Sequence, residues 1–271
     1  TAAAIAPTQV VGVSIGAINA ALIAGNPPER RMARIGAFWD LVTEQTRWWP
    51  SPVGGAARRM FNLASAAGAM TFGAPGFFSV RPFNPWFVPS GWNGAPSFYD
   101  TEPLRRTLLD LIDWDLLNSG PTRIAVGAVE VRSGNFRYFD SAHERLEPEH
   151  IMASGALPPG FPGVEIGGHL YWDGGLVSNT PLQYLLEFER QRDTLVFQVD
   201  LFNARGEVPR DMSAVLARQK EILYSSRTRN NTDAFRRAHV ARARLRDALK
   251  RLPEEALTVD DRAFLEQTHD T

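Results

Sequence analysis

The stretch "VVGVSIGAINAALIAGN" (residues 10–26) constrains the fold of this chain more than any other. Val10-Val11 is a short buried-strand signal. Glycines stand two residues to either side of Ser14, and an Ala-rich helical run from Ile15 to Ala24 follows, stopping at Gly25-Asn26. Glycines at those positions permit a sharp strand-to-helix turn and close helix packing, which lifts the serine Oγ out at the strand's C-terminal end. The helix begins at the serine, so its free N–H groups and the positive end of its dipole face any oxyanion formed there. A bare G-x-S-x-G arises by chance in many sequences. A strand before it and a helix after it are the context in which it reads as a nucleophile's turn.

A serine nucleophile needs a base. The five histidines are His143, His150, His169, His239 and His269, and none sits where a Ser-His-Asp arrangement would put it. His239 falls mid-helix among arginines, and His269 is in the terminal tail. Asp173 is the better candidate. It ends a strand pattern in "LYWDGGLVSN", and Gly174 and Gly175 let backbone approach closely there. An aspartate beside a low-dielectric cleft can have its pKa raised enough to take a proton from a serine directly. An aspartate that merely caps an Asp-Gly turn is the plain alternative.

Residues 29–44 read as a second helix, with Met32, Ile35, Phe38, Trp39 and Val42 at helical spacing. From Arg47 to Tyr99 glycine, proline and aromatics crowd together in an irregular stretch, read either as a lid or binding loop or as a satellite core. Thr101–Leu117 reads as one helix. Residues 122–140 read as two strands around Ser133-Gly134-Asn135, and "EPEHIMASGALPPGF" as a short helix ended by Pro158-Pro159. Asn179-Thr180-Pro181 reads as the cap of a further helix. "TLVFQVDLF" (194–202) is a β-branched run that predicts a buried strand, and 233–252 reads as a helix with Ala238, Ala241, Leu245, Leu249 and Leu252 on one face. Strands alternating with helices predict an α/β domain with a mainly parallel sheet.

Composition narrows the function classes. A net charge of −1 gives no argument for nucleic-acid binding, and the absence of cysteine excludes disulfides, thiol chemistry and Cys-based metal sites. No apolar run reaches the roughly 18 residues of a membrane span. No metal-ligand spacing and no nucleotide-binding glycine motif is present, so no cofactor is expected.

Three stretches in order, "GVSIGAINAAL" (12–22), "IMASGALPPGFPGV" (151–164) and "YWDGGLVSNTPL" (171–182), resemble the patatin-like phospholipase family. The similarity runs from about residue 8 to 202. It implies a three-layer α/β/α sandwich around a central, mostly parallel sheet. It also implies a Ser–Asp dyad without histidine, with Ser14 as nucleophile and Asp173 as base. The implied reaction is hydrolysis of lipid acyl esters through an acyl-enzyme. Ile15 is the implied oxyanion donor by position, with Gly12, Gly16, Gly174 and Gly175 as oxyanion or turn-forming residues. The family also carries a glycine-rich oxyanion loop, G-G-G-x-[KR]-G, upstream of the serine. Gly54-Gly55 and Gly167-Gly168 do not match it, and a missing N-terminal part is the expected reason.

The expected organisation is a catalytic domain over 1–202, with 47–99 as an aromatic lid or cap, and a helical extension over 203–271. Expected partners are a lipid or other acyl ester and a peripheral membrane surface, with a cytoplasmic or membrane-peripheral location. Two alternatives stand beside this reading. One is a hydrolase of short-chain esters, thioesters or polyesters; the other is a non-catalytic lipid-surface binding protein without the oxyanion loop.

Overall fold

The computed structural model describes residues 6–44, 52, 54–91, 97–178, 181–188 and 195–267. The chain forms two compact units, Thr1–Val177 and Ser178–Thr271. The division thus falls ahead of residue 202, where the sequence pattern placed it.

In the first unit the order is β1 (Gln9–Val13), α1 (Ile15–Ala24), α2 (Pro28–Val42), α3 (Gly55–Phe72), β2 (Ser79–Val80), β3 (Tyr99–Asp100), α4 (Glu102–Leu111) and α5 (Trp114–Ser119). Then follow β4 (Arg123–Glu130), β5 (Phe136–Asp140), α6 (Pro148–Ser154), β6 (Val164–Ile166) and β7 (His169–Asp173). The centre of the sheet is β4, "RIAVGAVE", in which every residue from Ile124 to Val129 is buried. A near-continuous apolar run of this kind marks a strand covered on both faces. It pairs parallel with β1 and antiparallel with β5 and β7, and β7 continues into a hairpin with β6.

The α/β class is as expected, with the parallel pairing concentrated at the strand that leads into Ser14. The other described pairs of the main sheet are antiparallel. The reason lies in the connections: β4–β5 and β6–β7 are joined by tight turns, at 131–135 and at Gly167-Gly168, and a tight turn can only return the chain antiparallel. Gly167 and Gly168 both adopt positive φ (59° and 79°), as a two-residue hairpin requires.

Helices α1 and α6 pack together on the face of the sheet that carries Ile124, Val126, Ala128, Phe139 and Tyr171. Helix α1 is buried almost all round (Ala17, Ile18, Ala20, Ala21, Leu22 and Ala24), which its alanines allow by keeping it close to the strands. From α2, Phe38 is fully buried against this core, whereas Met32 is exposed.

Several boundaries differ from the sequence pattern. The helix expected over 101–117 is two, because the Asp113 side chain accepts the N–H groups of Asp115 and Leu116 and starts a new helix. Helix α6 ends at Gly155, ahead of Pro158-Pro159. The stretch expected to be irregular contains the 18-residue helix α3. Its aromatics divide into a packed set and an exposed set. Phe77 and Phe78 turn inward and pack edge-on or tilted with Phe38, Tyr99 and Phe161, while Phe72, Phe83, Trp86 and Phe87 are exposed.

The second unit holds α7 (Leu182–Phe188), α8 (Met212–Leu249) and α9 (Val259–Gln267). The expected helix over 233–252 is the C-terminal part of the 38-residue α8, and of its expected apolar face only Leu249 is buried. Residues 195–201 form no strand. Leu195, Phe197, Val199 and Leu201 are exposed, since β propensity becomes a strand only where a neighbouring ladder accepts it. Asn179, Thr180 and residue 194 lie outside the described residues, so the cap expected at 179–181 is described only at Pro181. Among the described residues no helix is long and apolar enough to cross a membrane.

Candidate active site

The site arises from a head-on meeting of two strands along one edge of β4. Strand β5 occupies the opposite edge, so β1 and β7 must share this one. Strand β1 runs parallel to β4 and its last residue, Val13, lies opposite Gly127. Strand β7 runs antiparallel and its last residue, Asp173, lies opposite Ala128, the next residue along. Two strands far apart in sequence therefore end at adjacent positions, and the residues at their tips face each other. The Ser14 Oγ donates a hydrogen bond to Asp173 Oδ2 at 2.6 Å.

Backbone crowding at this junction explains two of the glycines. A Cβ on Gly12 would stand 2.3 Å from Gly16 O and 2.6 Å from Ala17 N, because α1 folds directly back over β1. A Cβ on Gly174 would stand 2.5 Å from Gly127 O and 3.0 Å from a Val13 methyl, where the two strand ends meet. Gly16 is different. A Cβ there would meet nothing within 4 Å, so the turn does not require that glycine, and the space beside it is open.

Ser14 itself adopts φ 58° and ψ −128°, and among the described residues it is the one non-glycine with positive φ. A side chain in that region is strained by about 1–3 kcal/mol, and such strain persists only where surrounding contacts over-determine it. Here the contacts come from the end of α6. The Ser14 N–H donates to both the carbonyl O (3.1 Å) and the Oγ (3.0 Å) of Ser154. The Ser154 hydroxyl, fully buried, in turn donates to Gly127 O at 2.6 Å. Ser154 thus ties the turn at Ser14 to β4. It stands in the "IMASGALPPGFPGV" stretch, yet no sequence pattern gave it this role, since the contact is made through backbone 140 residues away.

Asp173 is 2% exposed. Its N–H donates to Ala156 O at 3.0 Å, and its Oδ1 accepts the Gly175 N–H at 2.7 Å. Burial raises the carboxyl's pKa above its ordinary value, with the hydrogen bonds from Ser14 and Gly175 partly opposing the shift. At the start of α1, neither the Ile15 nor the Gly16 N–H has an acceptor among the described residues, as expected of the first residues of a helix.

No histidine touches Ser14 or Asp173 among the described residues. His150 is buried in α6, where its Nδ1 accepts the Glu147 N–H and burial holds its pKa below the ordinary value. His169 faces Glu130, His143 lies 3.4 Å from Arg123 and His239 stacks on Phe235, while His269 is outside the described residues. Among the described residues no group of three or more His, Asp or Glu could hold a metal ion.

The second feature is an apolar groove of about 560 Å³ along α3. Phe61, Ala64, Ser65, Gly68, Ala69 and Phe72 line it at helical spacing, with Val42 and Ala74 closing it. The α3 segment is tied through Tyr99 to the chain that follows α6. The Tyr99 OH donates to Met70 O (3.0 Å), and the N–H groups of Phe98 and Tyr99 donate to Pro159 O and Gly160 O, just beyond α6.

The fold is mixed α/β, with a serine at a strained strand–helix turn and an aspartate at the facing strand end. The family model for patatin-like phospholipase matches residues 2–186, and a second model, described as patatin phospholipase, matches 222–271. The chain belongs to the patatin-like phospholipase family. Among solved structures it is similar to VipD from Legionella pneumophila, with 15% identity and a TM-score of 0.35 over 64% of this chain. It spans 41% of that chain's length. No curated protein sequence matches.

Proposed function

We propose that this protein is a lipid acyl hydrolase in which Ser14 is the nucleophile and Asp173 its base. The observation that carries the reading is the 2.6 Å hydrogen bond from Ser14 Oγ to a carboxylate that is buried and raised in pKa. In the first step Asp173 accepts the hydroxyl proton as Oγ attacks the ester carbonyl. The Ile15 N–H, with that of Gly16 beside it, faces the developing oxyanion. Collapse breaks the bond to the alcohol, which leaves with the proton from Asp173. Water then gives a proton to the same carboxylate as it attacks the acyl-enzyme, and on collapse Asp173 returns that proton to the departing Ser14 Oγ, releasing the fatty acid. The groove along α3 is of a size and apolarity that suits an acyl chain. Family membership implies a lipid substrate. We place the protein in the cytoplasm or at a membrane surface.

The test is mass spectrometry of the full-length protein after exposure to a lipid-like fluorophosphonate. A single adduct on Ser14 is expected, absent in Ser14→Ala and slowed by about 10²–10⁴ in Asp173→Asn. No adduct on Ser14 overturns the reading and favours a lipid-binding protein without catalysis.

A further inference from the structure

Between residues 45 and 99 the chain carries four arginines and no aspartate, glutamate, lysine or histidine, together with twelve aromatics. The rest of residues 1–177 has the opposite balance, nine arginines against fifteen aspartates and glutamates. A protein of net charge −1 has therefore concentrated positive charge and aromatic area in one segment.

The structure gives that segment an outward-facing tip. Phe83, Trp86 and Phe87 are 72%, 81% and 86% exposed. They stand on and beside a 3₁₀ turn, Pro85–Phe87, that satisfies its own backbone. The Trp86 N–H donates to the Asn84 side chain (3.0 Å), the Phe87 N–H to Asn84 O (3.0 Å) and the Val88 N–H to Pro85 O (3.3 Å). Pro82, Pro85 and Pro89 bring no N–H at all. A tip with few unpaired donors loses little when water leaves it. The segment is held at its base, where the Arg81 Nε donates to Ser97 Oγ and Tyr99 O, both at 3.1 Å. On α3, Met60 and Met70 are also exposed, and Arg58 projects over the Phe61 ring at 5.9 Å.

We infer that the tip at Phe83, Trp86 and Phe87, with the exposed side of α3, docks the protein on an anionic lipid surface. The occupant follows from charge. Such a surface attracts this segment and repels the acidic remainder of the unit, which orients the protein. A second copy would instead have to set one cationic segment against another. Tryptophan and phenylalanine suit the headgroup boundary, where an apolar ring enters beside water. This inference rests on the lipid acyl hydrolase reading, and supplies the approach to a substrate that lies in an interface.

The experiment uses vesicles of non-hydrolysable ether lipids, either phosphatidylcholine alone or a two-to-one mixture of phosphatidylcholine and phosphatidylglycerol. Co-sedimentation and quenching of tryptophan fluorescence by brominated lipid are read on the full-length protein. The mixed vesicles are expected to bind it, added salt to weaken that binding, and phosphatidylcholine alone to bind it less. Trp86→Ser with Phe87→Ser is expected to lower the partition by roughly tenfold or more while leaving turnover of a water-soluble short-chain ester unchanged. Ser14→Ala is expected to bind vesicles like wild type, so failure of the dyad and failure of the docking surface are distinguishable. Equal vesicle binding by the Trp86/Phe87 variant overturns the proposal. So does absence of binding by wild type, or a dimer in solution that the double variant dissociates.

Discussion

Asp173 sits under opposing influences, burial against two donated hydrogen bonds, and burial dominates. In the proposed mechanism it is the base and must be ionised, so the rate on a soluble ester is expected to rise with pH along a limb placed above the usual aspartate range. Asp173→Asn is expected to remove that limb. The same shift acts on stability. A carboxyl whose pKa is higher folded than unfolded contributes stability that is intact below the unfolded value and is lost as pH rises through the folded one. Asp173→Asn is therefore expected to melt higher than wild type at neutral pH, with the difference shrinking towards acid. Thermal melts across that range check this. Ser154→Ala is expected to leave Gly127 O without its donor, destabilising by about 1–3 kcal/mol. On the proposed mechanism it should also lower kcat by up to about 10²-fold by loosening the turn at Ser14. Denaturant titration and turnover on the soluble ester measure the two effects. That Ser14 and Asp173 come together was legible because the chemistry proposed for them demands residue types that stand out in a pattern. Ser154 was not, because what it supplies, a carbonyl and a hydroxyl to a distant N–H, leaves no local signature.

Elements were legible in proportion to how local their causes are. The turn at Ser14 and the hairpin of β4 and β5 follow from neighbouring residues, and both form where the pattern put them. Helix α3 was hidden because Gly54, Gly55 and Gly68 punctuate a run that aromatics had already marked as irregular. The break between α4 and α5 depends on one side chain, Asp113, choosing its own backbone over the helix. Gly12 and Gly16 give a test at this scale, since the motif treats them alike and the packing does not. Gly12→Ala forces a methyl into the α1 backbone and is expected to destabilise by about 1–3 kcal/mol or more. Gly16→Ala meets open space in a helix and is expected to be neutral or stabilising by up to about 1 kcal/mol. Denaturant unfolding of the two variants separates them, and equal losses would contradict the described packing.

At the scale of the whole molecule, charge and apolar surface are unevenly shared. The run 194–202 has the composition of a core strand, yet Leu195, Phe197, Val199 and Leu201 stand exposed in the second unit, because a strand is made by its neighbours as much as by its own residues. Hydrogen exchange is expected to show this directly. Amides of 196–201 should exchange near unprotected rates, while those of β4 exchange only with global opening. Protection of 196–201 equal to that of β4 would mean the run has found a ladder. The strain at Ser14 carries a different consequence. A serine held at positive φ occupies a backbone conformation that glycine would enter freely, so the fold by itself favours a residue that, on the proposed mechanism, abolishes the chemistry. Any selection for thermal robustness alone, in the laboratory or in a lineage that no longer needs the reaction, has a route to greater stability through position 14. On the proposed mechanism, serine at that position trades backbone stability for turnover.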